Sequence, residues 1–200
     1  APGPAPGPSP IGSPVPSTSS STSSSISLVP SGGPSDRISC ATRLTGTSQE
    51  VTAACAANSD LNCCTNDSAC VWPDSAVVMI CPGSCNGNDA CNFNFEDEGD
   101  VRLNIGAGSC IGTDACRNNK GGNIGDGSCD GAQACLGTTY VGDGSCTQAN
   151  SCNGADSVGD GSCTARNACN GSVRVGSMSC LDVAACAGAE GMIGDESCTA

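Results

Sequence analysis

The groups with chemistry to offer in this chain of 200 residues are its 19 cysteines. They recur at one spacing, Cys-x5-Cys. The pairs are Cys64 with Cys70, Cys85 with Cys91, Cys110 with Cys116, Cys129 with Cys135, Cys146 with Cys152, Cys163 with Cys169 and Cys180 with Cys186. Thiols so placed either hold a soft metal ion or oxidise to disulfides. Structural zinc sites favour Cys-x-x-Cys pairs, often helped by His. This chain has no His. The spacing therefore points to disulfides and to an oxidising compartment. The chain is read as secreted, with no metal site and no cofactor.

Other chemistry has little support. Without His there is no ready general base, and the serines sit inside a repeat. Glu96 and Glu98 form an acidic pair in an insertion, where charge is usually solvated. Glycoside-cleaving β-helices work with two carboxylates, but in wide coils with aromatic platforms. Aromatics here amount to one Trp, one Tyr and two Phe. No enzyme and no catalytic residue are expected.

Three weaker patterns remain. An acid recurs three residues before Cys as Asp126, Asp143, Asp160 and Asp195. It is read as an exposed turn residue, with calcium bridging as the alternative. Ser-Cys-Thr at Cys146, Cys163 and Cys198 is read as an outward pair of hydroxyls around each Cys. A uniform rank of these could organise ice or water, but the Thr position holds Asn86, Ile111, Asp130 and Leu181 elsewhere. Asn66-Asp67-Ser68 and Asn170-Gly171-Ser172 are glycosylation sequons.

The elements that position the cysteines follow from the repeat. The unit is apolar-Gly-x-Gly-Ser-Cys-x5-Cys, usually with Ala before the second Cys. From Cys85, successive first cysteines are 25, 19, 17, 17, 17 and 18 residues apart. A fixed short period means one small unit stacked on its copies. Seventeen residues are too few for two packed helices and a turn. The Gly, Ser, Asn and Asp content favours turns. The fold class is therefore all-β, a thin disulfide-ribbed β-solenoid with two or three short strands per coil. Ile80, Ile105, Ile124, Val141, Val158, Val175 and Ile193 should point inward and stack about 4.8 Å apart. Gly should supply the positive-φ corner. The Cys-x5-Cys pairs are read as bridges within each coil. Bridging between neighbouring coils stays open, and Cys40, Cys55, Cys63 and Cys81 are unassigned.

Three regions follow. Residues 1–35 hold nine of the 11 Pro, the Ser/Thr cluster Ser17 to Ser25 and no charged side chain. Such a segment cannot build a core and is expected to be an extended stalk bearing glycans. The chain begins at Ala1 within it, as if a leader had been removed. Residues 36–79 are expected to be a cap or degenerate coils, and residues 80–200 the regular array. The array stops in mid-unit, with Cys198 lacking its partner. Continuation of the rod is expected, either in more chain or in another subunit, with Cys198 as the candidate intermolecular bridge in the second case. Net charge of −13 argues against nucleic acid. No run is apolar and long enough to span a membrane.

The Gly-Asp-Gly-Ser-Cys…Ala-Cys array over residues 80–200 resembles Cys-rich β-solenoid repeats of secreted diatom and other algal proteins. Its Cys spacing is similar to that of insect antifreeze solenoids, which have a shorter repeat and a Thr-Cys-Thr face. Ala-Pro and Ser-Pro dipeptides in the stalk resemble the glycomodules of plant and algal wall proteins. The algal resemblance implies secretion and no established activity. The functional expectation is a structural rod of an extracellular filament, surface appendage or wall, self-associating head to tail. The alternative is an ice- or glycan-binding module.

Overall fold

The computed structural model describes residue 3 and residues 44–66, 68–73, 76–93 and 102–199. The stalk, Cys40 and the acidic stretch Glu96, Asp97, Glu98 and Asp100 lie outside them, residue 3 apart.

The described chain begins with a cap. Strand β1 (Leu44–Gly46) leads into helix α1 (Ser48–Ala57). A capping box starts that helix: Glu50 N–H donates to Thr47 Oγ1 at 3.3 Å, and Thr47 N–H donates to Glu50 Oε2 at 2.9 Å. The helix buries Val51 and Cys55, and Cys55 is bridged to Cys63 beyond it. Strand β2 (Cys70–Val71) follows, then β3 (Val77–Ile80) and β4 (Cys91–Asn92). β1 pairs antiparallel with β3, Leu44 opposite Ile80. An outer strand of opposite direction covers the β3 edge, which would otherwise offer free backbone groups to another chain. Trp72 closes the junction, with its indole N–H 3.3 Å from the Gly46 carbonyl and its ring 6.4 Å from that of Phe93.

The remainder is a β-solenoid. β5 (Arg102–Ile105), β6 (Gly122–Ile124), β7 (Tyr140–Val141), β8 (Ser157–Val158), β9 (Arg174–Val175) and β10 (Met192–Ile193) extend β3 into one sheet, each parallel to the last. The apolar ladder is in register: Ile80 faces Ile105, Ile105 faces Ile124, and so on to Val175 against Ile193. Exposure of these side chains is 0% at Ile80, Ile105 and Ile124, and at most 5% from Val141 to Val175. Each coil thus buries one β-branched residue here, worth about 1.5–3 kcal/mol.

The expectation of two or three strands per coil needs correcting. From β5 onward each coil carries one strand, because left-handed corners break the rest. In the coil of Val141 these fall at Gly144, Cys146, Asn150 and Gly154. The intervening segments still bond between coils, only too briefly to form strands. Cys146 N–H donates forward to Ser162 O at 3.0 Å, and Cys152 N–H donates backward to Ala134 O at 2.7 Å. One second ladder, β2 with β4, does form at the cap end.

The two glycines of the unit do different work. The second takes positive φ, as at Gly144 (+61°), and the position tolerates Met178 (+51°) and Glu196 (+54°). The first is needed for close approach. A Cβ on Gly106, Gly125, Gly142, Gly159 or Gly176 would lie under 3.0 Å from atoms of the next coil. Gly142→Ala should therefore destabilise by about 1–3 kcal/mol through overpacking. Gly144→Ala should cost about 1 kcal/mol, the strain of a left-handed Ala. Denaturant unfolding of the two variants tests the order; equal losses would contradict it.

Candidate functional site

All seven Cys-x5-Cys pairs form disulfides within their own coil, with Cα atoms 5.5–5.6 Å apart. This lies within the range a disulfide requires. At the cap end Cys64 joins Cys70, and Cys85 joins Cys91. Along the array Cys110 is bridged to Cys116, Cys129 to Cys135 and Cys146 to Cys152. Cys163 with Cys169 and Cys180 with Cys186 complete the series. The open alternative, bridging between neighbouring coils, is therefore not used by any of these fourteen cysteines.

Cys116 and Cys135 show why the second Cys follows a small residue. Both are 0% exposed, as are Ala115 and Ala134 before them. Their backbone N–H groups also join coils: Cys116 donates to Ala90 O at 2.8 Å, and Cys135 to Ala115 O at 2.7 Å. Except at Cys64, both sulfurs of every array pair are buried within the coil. Sulfurs of neighbouring coils also meet: those of Cys163, Cys169 and Cys180 lie within 4.8 Å of one another. All three are oxidised, so none is a thiolate ligand. Cys81 is also disulfide-bonded, and Cys198 is free and exposed.

The first Cys of each pair has a left-handed backbone, with φ of +49° at Cys64 and +54° to +60° from Cys85 to Cys198. That costs about 1–2 kcal/mol per coil. Closing so short a loop covalently returns about 2 kcal/mol, and the burial of Ile or Val adds to it. The geometry also changes which side chains face inward. A left-handed residue breaks strand alternation, so the Ser before it and the Cys itself both point into the coil.

This corrects the reading of Ser-Cys-Thr as an outward pair. Ser84, Ser109, Ser128, Ser145, Ser162 and Ser179 are all 0% exposed. Each hydroxyl joins successive coils. Ser145 Oγ donates to the Gly159 carbonyl at 2.7 Å and accepts from Ser162 N–H at 3.1 Å. The same pair of bonds recurs from Ser109 to Ser179. The signal was present: Ser precedes the first Cys in every unit from Ser84 to Ser197, while the residue after Cys varies.

The turn aspartates lie on the surface, and each also bonds between coils. Asp126 Oδ1 accepts from Ala107 N–H at 2.8 Å, Asp143 from Asp126 at 2.9 Å, Asp160 from Asp143 at 3.1 Å and Asp195 from Ser177 at 2.8 Å. Each carboxylate caps the turn of the coil before it.

Beside this acid column runs a groove of about 440 Å³, crossing the coils from Asn123 to Asp195. Its lining includes Gly125, Gly142, Gly159 and Gly176, with Tyr140, Ser157, Asp143, Asp160 and Asp195. Tyr140 is 52% exposed. The acids follow one another from coil to coil. Such a surface can accept hydrogen bonds and stack a ring.

The sequons differ in setting. Asn66 donates to the Asn86 carbonyl, whereas Asn170 is exposed on a turn. Among the described residues no helix is long and apolar enough to cross a membrane. Compared with protein-family models, curated proteins and solved structures, the chain matches none.

Two substitutions separate these ladders. Ser145→Ala leaves the buried Ser162 N–H without its acceptor and should cost about 1–3 kcal/mol. Asp143→Asn keeps an acceptor oxygen and should stay within about 0.5 kcal/mol of the parent. Thermal unfolding checks both. The midpoint should be the same in calcium and in chelator, because the aspartates already serve as turn caps; a calcium-dependent rise would restore the bridging alternative.

Proposed function

We propose that this chain is a secreted structural protein, the rigid rod of an extracellular filament, surface appendage or wall. A disulfide-rich β-solenoid fits an extracellular structural or binding role. The observation favouring the structural one is where the regularity lies. The repeated residues are those facing inward or joining coils: the Ile/Val ladder, Ser, Cys and the first Gly. The outward column after the first Cys runs Asn86, Ile111, Asp130, Thr147, Thr164 and Leu181. A lattice such as ice requires a uniform face, and this column is not one. A stiff axis requires only a uniform interior.

In this proposal the rod self-associates head to tail, Cys198 is its candidate intermolecular bridge, and residues 1–35 serve as a glycan-bearing stalk. The role needs no catalysis, no cofactor and no nucleic acid. The second reading, a glycan-binding module, draws on Tyr140 and the carboxylates of the groove.

Electron microscopy of native extracellular material, with antibody labelling of this chain, separates the two. Label running along regular fibres is the expected result. Soluble, dispersed protein retained on a polysaccharide column would favour the binding module and overturn the rod.

A further inference from the structure

The sequon Asn170-Gly171-Ser172 is divided between the outside and inside of its coil. Asn170 is exposed, and its carboxamide makes no hydrogen bond among the described residues. Gly171 turns the chain with φ of +74°. Ser172, two residues after the acceptor, is 1% exposed. Its Oγ donates to the Cys186 carbonyl at 2.6 Å. Cys186 belongs to the next coil and is held there by its bridge to Cys180.

The sequon requires a hydroxyl at its third position as well as Asn at its first. An enzyme that selects the sequon must therefore reach both side chains. In the folded chain it can reach only one. We infer that Asn170 is an acceptor for an N-linked oligosaccharide, and that transfer must precede closure of the coil over Ser172. In the transfer, Asn170 Nδ2 bonds to the anomeric carbon of a lipid-linked oligosaccharide. The bond from that carbon to the lipid pyrophosphate breaks, the pyrophosphate leaves with the electron pair, and Nδ2 gives up one proton. The sugar then projects from the turn after the second Cys and bars lateral packing along that edge. The inward Ser172 hydroxyl remains free to join the coils. Folding thus acts as a timer: the Cys180–Cys186 bridge ends the period in which the site can be read.

The test offers the full chain to a microsomal oligosaccharyltransferase with lipid-linked oligosaccharide, in two forms. One is oxidised and folded; the other is reduced, alkylated and unfolded. Peptide mass mapping reads occupancy of Asn170, with Asn170→Gln marking the site. The unfolded chain should be modified. The folded chain should be modified only through its unfolded fraction, roughly 10⁻³ or less for a stable protein. Equal modification of both forms would show that Ser172 is reachable after folding and overturn the timing. An unfolded chain left unmodified at Asn170 would overturn the assignment of the acceptor.

Discussion

Each coil is one disulfide wide. That width constrains everything else in the structure. Two backbone segments held about 5.5 Å apart at Cα leave no room between them for an aromatic ring or a packed layer of leucines. A chain so built cannot draw its stability from a conventional core, and its composition agrees. Among the described residues, the buried large apolar side chains are Leu44, Val51, Trp72, Val78, Phe93 and Leu103 toward the cap and the Ile/Val ladder beneath the sheet, while Ile111, Met178, Leu181, Val183 and Met192 stay exposed.

The other local features follow from bringing two segments so close. The first Cys must turn left-handed to aim its sulfur across the coil, which turns the preceding Ser inward as well. A buried hydroxyl needs partners, and the next coil supplies a carbonyl on one side and an N–H on the other. Coils stacked tightly enough for these bonds leave no space for a Cβ at the first Gly. The carboxylate above that Gly lies close enough to accept from the neighbouring turn. Disulfide, serine, glycine and aspartate are one solution to stacking very thin coils. Surface positions are left free to vary, and they do.

Much of this was legible in the residues. The Cys-x5-Cys spacing, the Ile/Val ladder and the small residue before the second Cys each follow from period and size. Less legible is side-chain direction wherever backbone departs from a strand. Ser145 reads as outward only if alternation continues across Cys146; the positive φ of a non-glycine residue has no signature in one sequence. The Asp143 carboxylate reads as merely solvated because its partner, Asp126 N–H, lies one coil away. Helix α1 has a signal of its own: Thr47-Ser-Gln-Glu50 is a capping-box pattern, set in a region whose spacing is otherwise irregular. The groove depends on Tyr140 projecting beside glycines of other coils, which no local pattern reveals.

The central claim is that apolar burial alone does not hold the coils together once their covalent bridges are removed. Far-ultraviolet circular dichroism of the full chain before and after complete reduction tests it most directly. With about 2 kcal/mol lost at each bridge, against a total stability of about 5–15 kcal/mol for an ordinary domain, reduction should abolish the β signal without added denaturant. A spectrum unchanged after full reduction, with every thiol accounted for by alkylation, would contradict the account.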